Sequence, residues 1–211
     1  MYKVNEIFYS LQGEGAWSGT PMAFVRFAGC NVNCEFCDTD HESFTEMTLP
    51  KIVTEIEKVC SSTPERIVLT GGEPLLQVDR TLTDYLNDSG YKLHLETNGT
   101  LWPFLTGNPF DWVCVSPKSP EIDIKSLWYC DELKFLCGQW DWKDTIDGIM
   151  KQAPPMEFCA YLLMPLAKSI KEGDRSKSDI IWDNTSIAVK YCLEHPEFSL
   201  TIQLHKYLGI K

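Results

Sequence analysis

Three cysteines fall within the segment Cys30-Asn31-Val32-Asn33-Cys34-Glu35-Phe36-Cys37, directly after a run of strand character, Ala23 to Phe27. This C-x3-C-x2-C spacing offers three thiolates. Structural zinc wants four tetrahedral ligands, whereas a cubane 4Fe-4S cluster held by three cysteines keeps one iron open to a further ligand. A zinc reading needs a fourth ligand, either His41 or a distant cysteine.

Other polar motifs fall just past predicted strands. Thr70-Gly71-Gly72-Glu73-Pro74 follows one strand and precedes a helix. There the paired glycines let the backbone approach a ligand and Glu73 can face an ammonium, although an ordinary strand-to-helix turn has the same composition. Glu96-Thr97-Asn98-Gly99 and Ser116-Pro117-Lys118 are placed alike. A glycine turn and a capping serine explain them as well as ligand binding does. His205 reads as a structural hydrogen-bonding histidine and receives no role. The other six cysteines, Cys60, Cys114, Cys130, Cys137, Cys159 and Cys192, lie scattered in apolar stretches and read as small buried hydrophobes.

The elements that position these residues alternate between short apolar runs and segments of helical period, the pattern of βα units around a parallel sheet. Strands are predicted at Ala23 to Phe27, Arg66 to Thr70, Tyr91 to Glu96, Trp112 to Ser116, Glu132 to Leu136, Phe158 to Met164 and Leu200 to Leu204. A helix capped by Thr48, with Pro50 in its first turn, should bury Ile52, Ile56 and Val59. A second, Leu75 to Asn87, should bury Leu75, Leu82 and Leu86 and stop near Gly90. Further helices fit Asp141 to Gln152 and Asn184 to Glu194, and Lys168 to Asp179 reads as a charged loop. The fold class is α/β, one domain over residues 1–211. Because a complete eight-stranded barrel takes about 250 residues, a truncated (β/α) barrel is expected, with its chemistry at the strands' C-terminal ends.

A chain of 211 residues, 44% hydrophobic, can bury a sizeable core without disulfides. No run approaches the about 20 apolar residues of a membrane span, and the N-terminus lacks a signal pattern. A cytoplasmic location without membrane association is expected. The net charge of −11 disfavours nucleic-acid binding, since phosphate backbones are repelled and no basic stripe interrupts the acidity.

The cysteine spacing, with Phe36 before the third cysteine, resembles the radical S-adenosylmethionine (SAM) superfamily, and Gly71-Gly72-Glu73 resembles its motif for the methionine end of SAM. That resemblance implies SAM chelated to the open iron and cleaved by an electron from the cluster. Leu11-Gln12-Gly13-Glu14-Gly15, Arg26, Cys37-Asp38-Thr39 and Gln203-Leu204-His205-Lys206 together resemble the 7-carboxy-7-deazaguanine synthase family over nearly the whole chain.

This implies conversion of 6-carboxy-5,6,7,8-tetrahydropterin to 7-carboxy-7-deazaguanine with release of ammonia, SAM being regenerated. It further implies SAM contacts at Phe36, Cys37, Asp38, Gly72, Glu73, Ser116, Pro117 and Lys118, and a magnesium (Mg2+) ligand at Thr39, which otherwise reads as a turn cap. Substrate contacts are implied at Leu11, Gln12, Gly13, Glu14, Arg26 and Thr70, and at Lys211 through the C-terminal carboxylate. Glu14 would accept from the pterin amine edge; Arg26 would pair with the substrate carboxylate or, in the blander reading, lie on an exposed strand face. Two positions depart from the family pattern: Lys211 stands where a terminal proline contacts substrate, and Met164 precedes Pro165 where a glutamine is expected. An external one-electron donor such as flavodoxin and a homodimer are also implied. A glycyl-radical-activating enzyme would share the cluster and SAM site, but not the Gln12, Glu14 and Arg26 pocket.

Overall fold

The computed structural model describes residues 1–60, 64–138, 141–153, 159–166 and 182–211. The predicted loop Lys168 to Asp179 and the first predicted residue of one strand, Phe158, lie outside these. Among the described residues, nine strands form a single sheet. Strands β1 (Tyr2–Leu11) and β2 (Pro21–Phe27) make an antiparallel pair, with β3 (Thr45–Met47) antiparallel on the far side of β1. From β2 onward every pairing is parallel, through β4 (Arg66–Gly71), β5 (Lys92–Thr97), β6 (Trp112–Val115), β7 (Glu132–Cys137), β8 (Ala160–Pro165) and β9 (Phe198–Leu200). The order β3-β1-β2-β4-β5-β6-β7-β8-β9 leaves β3 and β9 as edges, so the sheet is a partial barrel rather than a closed one.

Side-chain alternation along the strands builds two apolar layers. Val25, Leu69, Leu95, Val115 and Phe135 point outward and pack with the buried faces of α1 (Leu49–Val59), α2 (Arg80–Asp88) and α4 (Trp142–Gln152). On the other face Met22, Phe24 and Val68 pack with Phe8 and Trp17. Trp17 also meets His94 and Trp112 edge-on, at 5.0 and 5.8 Å between ring centroids. Parallel strands covered on both faces lose the polar alternation of an exposed sheet, so a charged side chain buried within one of them needs partners in the interior.

The helix predictions need local corrections. In α1, Ile52 and Ile56 are buried but Val59 is 39% exposed, and Thr48 caps without a side-chain hydrogen bond. The helix expected from Leu75 is split into a single 3-10 turn (Pro74–Leu76) and α2, because Asp79 caps the latter by accepting from the Leu82 amide at 2.9 Å. The same carboxylate accepts from the Tyr2 hydroxyl, also at 2.9 Å, tying α2 to β1. Asp79→Ala is expected to lower stability by about 1 kcal/mol, read as a reduced melting temperature.

The strand expected at Leu200 to Leu204 is displaced. β9 ends at Leu200, and Leu204 opens a short helix, α6 (Leu204–Leu208). The apolar alternation there is misleading, since Leu200 and Ile202 are 40% and 45% exposed. Strands β1 and β3 and the helices α3 (Ile124–Trp128) and α6 were not foreseen. Helix α5 (Trp182–Glu194) brackets the predicted one. Cys114, Cys130 and Cys137 are buried and Cys60, Cys159 and Cys192 half-buried, all as free thiols.

Candidate active site

A cavity of ≈ 680 Å³ opens where β2, β4, β5, β6 and β7 end. Its size suits a cofactor and a small substrate together. Cys30, Cys34 and Cys37 line one side, on the irregular segment after β2. Cys30 and Cys34 are half-buried and Cys37 exposed. Burial pushes the Cys34 thiol up, while Lys118 pulls it down.

The glycine pair explains how this segment is held. A side chain on Gly71 would meet the Phe27 carbonyl oxygen at 2.2 Å, and one on Gly72 would meet the Gly29 carbonyl oxygen at 2.3 Å and Cys30 Cβ at 2.8 Å. The closeness serves two hydrogen bonds: the Gly72 amide donates to Phe27 O at 3.3 Å and the Glu73 amide to Gly29 O at 2.9 Å. Glycine is required because backbone meets backbone, and Gly71 also has φ +150°.

Glu73 does not line the cavity. Its side chain is fully buried and accepts from the Thr97 hydroxyl and the Asn98 and Leu75 amides at 2.8, 2.8 and 3.0 Å. Burial pushes its carboxyl up against the pull of these donors. The expected ammonium contact is therefore corrected to a brace joining the ends of β4 and β5. Asn98 continues that brace, donating to Asn31 Oδ1 at 3.0 Å, while Asn31 donates to the Thr100 hydroxyl at 2.8 Å. The sequence signal at Glu96-Thr97-Asn98-Gly99 thus serves two ends: Glu96, Thr97 and Asn98 all line the pocket, while Thr97 also holds Glu73 and Asn98 also holds Asn31 of the cysteine segment.

Ser116 and Lys118 line the cavity, with the Lys118 ammonium donating to Ser116 Oγ at 2.8 Å; Pro117 between them is buried away from it. Burial lowers the Lys118 pKa. Gly72, Phe36, Asp38 and Thr39 also face the space, as do Met164 and Leu136 at the ends of β8 and β7.

The same cavity is also lined by Leu11, Gln12, Gly13, Glu14, Arg26 and Thr70. Arg26 donates through Nε to Glu6 at 3.0 Å, and Lys211 Nζ reaches the other oxygen of Glu6 at 2.7 Å. Arg26 is therefore neither exposed nor unpartnered. Ser10 donates to the Lys211 backbone oxygen, bringing the chain's last residue to the cavity wall. Lys206 on α6 pairs with Asp38, and His205 packs on Gly13, so residues 203–211 close one flank. Burial lowers the His205 pKa, favouring the neutral ring.

Glu14 is held by Lys134 Nζ at 2.9 Å and by Gln203 Nε2 at 2.9 Å. Burial alone would raise its carboxyl, but Lys134 and the Gln203 hydrogen bond outweigh that and hold it at about 2. Lys134 is the functional residue that motif reading missed. Because folding lowers the Glu14 pKa from the ordinary 4.5 to about 2, its contribution to stability is complete above pH 4.5 and is lost as pH falls towards 2. A Glu14→Gln chain is accordingly expected to show a shallower loss of stability below pH 4.5 in acid titrations followed by circular dichroism.

Three thiols on one loop, facing one cavity beside an ordered turn, fit a multi-atom iron–sulfur cluster. Among the described residues, no three His, Cys, Asp or Glu groups are gathered closely enough to hold a single metal ion.

The chain's residues 24–151 match the model of the Radical SAM superfamily, so fold and site together define a radical SAM enzyme, a class that works with SAM and a 4Fe-4S cluster. The 7-carboxy-7-deazaguanine synthase of Bacteroides thetaiotaomicron is 38% identical over 212 residues, covering 100% of both chains. That of Bradyrhizobium diazoefficiens is 36% identical, covering 100% of this chain and 99% of its own. The crystal structure of QueE from Escherichia coli superposes with a TM-score of 0.77 at 26% identity, over 97% of this chain and 94% of that one. The chain belongs to the 7-carboxy-7-deazaguanine synthase family.

Proposed function

We propose that this enzyme converts 6-carboxy-5,6,7,8-tetrahydropterin to 7-carboxy-7-deazaguanine with release of ammonia, as a radical SAM lyase of 7-deazapurine biosynthesis. The observation that carries this is that one cavity is lined both by the three cysteines and by Gln12, Glu14 and Arg26. When bound, SAM and its cluster supply reversible hydrogen-atom abstraction. The chain's task is to hold the pterin in reach and keep water out.

Glu14 offers fixed carboxylate oxygens to the pterin's N–H edge, and Gln12 joins it from the same loop. Arg26 faces the substrate carboxylate, which competes with Glu6 for the guanidinium. Lys211 Nζ, beside the same Glu6, adds a second cation there. Ser116, Lys118, Gly72 and the 36–38 backbone surround the SAM position, with Leu136 and Met164 as its apolar wall. We assign Mg2+ to the Thr39 hydroxyl together with substrate oxygens and waters. An external one-electron donor such as flavodoxin, a homodimeric state and a cytoplasmic location complete the proposal.

Anaerobic incubation of reconstituted protein with SAM, reductant, Mg2+ and the pterin tests this by mass spectrometry. Formation of 7-carboxy-7-deazaguanine supports it. SAM cleavage without that product, together with a glycyl radical raised on a partner protein, would favour the activase reading.

A further inference from the structure

Lys134 sits mid-strand in β7, with β6 and β8 hydrogen-bonded on either side. Its side chain is 3% exposed, yet it carries an ammonium. A buried charge persists only where partners compensate its lost hydration. Two do so from different parts of the chain: Glu14 on the β1–β2 connection at 2.9 Å and Glu96 on β5 at 3.0 Å. The remaining oxygens are oriented by amides, Glu14 Oε1 by Gln203 at 2.9 Å and Glu96 Oε1 by Gln12 at 3.2 Å. Gln12 Oε1 in turn accepts from the Glu14 amide at 3.2 Å, closing the network on itself. All five side chains line the cavity. Each carboxylate oxygen has a second lone pair, so the network presents unused acceptor capacity to whatever enters.

We propose that Lys134 is the positioning residue of the substrate pocket, locking Glu14 and Glu96 as paired acceptors and thereby selecting a ligand with an N–H-rich aminopyrimidinone edge. The inference rests on the pterin reading above and deepens it by naming what sets the pocket's specificity.

The other groups facing Lys134 do not take over this role. Burial pushes the thiol of Cys114, on β6, and the carboxyl of Glu132, on β7, towards their neutral forms. Glu132 is also occupied by the Ala16 amide at 2.8 Å and the Cys114 thiol at 3.4 Å. Lys118 beyond β6 and His205 on α6 bring no negative charge. Burial would discharge Lys134, but the negative charge around it, with Glu14 and Glu96 in direct contact, holds its pKa well above the ordinary lysine value. With the cation removed, burial acts on Glu14 without its main opponent and moves that carboxyl upward.

The test is calorimetric titration of 6-carboxytetrahydropterin into cluster-loaded, SAM-bound enzyme without reductant, so that no turnover occurs. Wild-type affinity should be flat between about pH 6 and 8, since Glu14 stays ionised throughout. Lys134→Met should weaken binding at least about tenfold at pH 8 and further as pH falls, because a hydrogen bond to a charged acceptor is lost as Glu14 protonates. Lys134→Arg should recover a flat profile and most of the affinity. A pterin analogue lacking the 2-amino group should be rejected by wild type by at least about tenfold, and this preference should shrink in Lys134→Met.

Wild-type affinity and a flat profile in Lys134→Met would overturn the inference alone. Failure of the wild-type enzyme to bind the pterin would overturn the substrate reading and the inference with it. Should Lys134→Met fail to fold, Glu96→Gln keeps Lys134 paired with Glu14 and is expected to bind more weakly with a flat profile. Unchanged binding in Glu96→Gln would equally overturn the proposal.

Discussion

Cys34→Ala, reconstituted anaerobically beside the native chain, is expected to lose the brown iron–sulfur absorbance and to fall in turnover by at least about three orders of magnitude. Three thiolates are the minimum that leaves a cubane with one open iron; removing one exposes a second iron to solvent. Thr39 and Asp38 beside the triad are poor replacements for the lost thiolate, since their hard oxygen donors suit magnesium better than iron–sulfur iron. The fold should survive, because Cys34 is half-buried on an irregular segment outside both apolar layers. Iron and sulfide per chain should therefore drop while the apoprotein melts unchanged. A variant that loaded a full cluster would refute the ligand assignment.

Gly72→Ala is the second large effect. The new methyl would lie 2.3 Å from the Gly29 carbonyl oxygen, an atom already held at 2.9 Å by the Glu73 amide. A flexible side chain could swing aside; this carbonyl cannot without breaking that bond. The strain is expected to cost about 1–3 kcal/mol. Either the turn after β4 or the backbone leading into Cys30 must move, so a lower melting temperature should come with a lower iron content. Loss of stability with normal iron loading would show that the turn, and not the cysteine segment, absorbs the strain.

These two positions were legible in the sequence to different degrees. The cysteine spacing announced its chemistry directly, whereas the glycine pair read as a ligand-approach motif and, while lining the cavity, also makes a backbone-to-backbone contact that supports the cysteine segment. Glu73 misled for the same reason: a carboxylate after two glycines at a strand end resembles a ligand, but its partners Thr97 and Asn98 come from a strand distant in sequence. The parallel strands were readable because burial on both faces makes them continuous apolar runs. β1 was missed because Val4 alone of its ten residues is fully buried, leaving no alternation to detect. Lys134 was missed because it belongs to no motif and its partners Glu14 and Glu96 lie far from it in sequence. The signal was present nonetheless: Glu132 and Lys134 share one face of a strand whose neighbours on both sides were themselves predicted, which puts their charges into a built interior.

The most direct test of the central claim is the ratio of 7-carboxy-7-deazaguanine to 5′-deoxyadenosine formed by reconstituted enzyme during anaerobic turnover of 6-carboxytetrahydropterin. A SAM-regenerating lyase should make many product molecules for each deoxyadenosine released. Deoxyadenosine accumulating without deazaguanine would contradict the assignment of substrate, and iron-loaded protein that neither binds nor cleaves SAM would contradict the assignment of the enzyme's class.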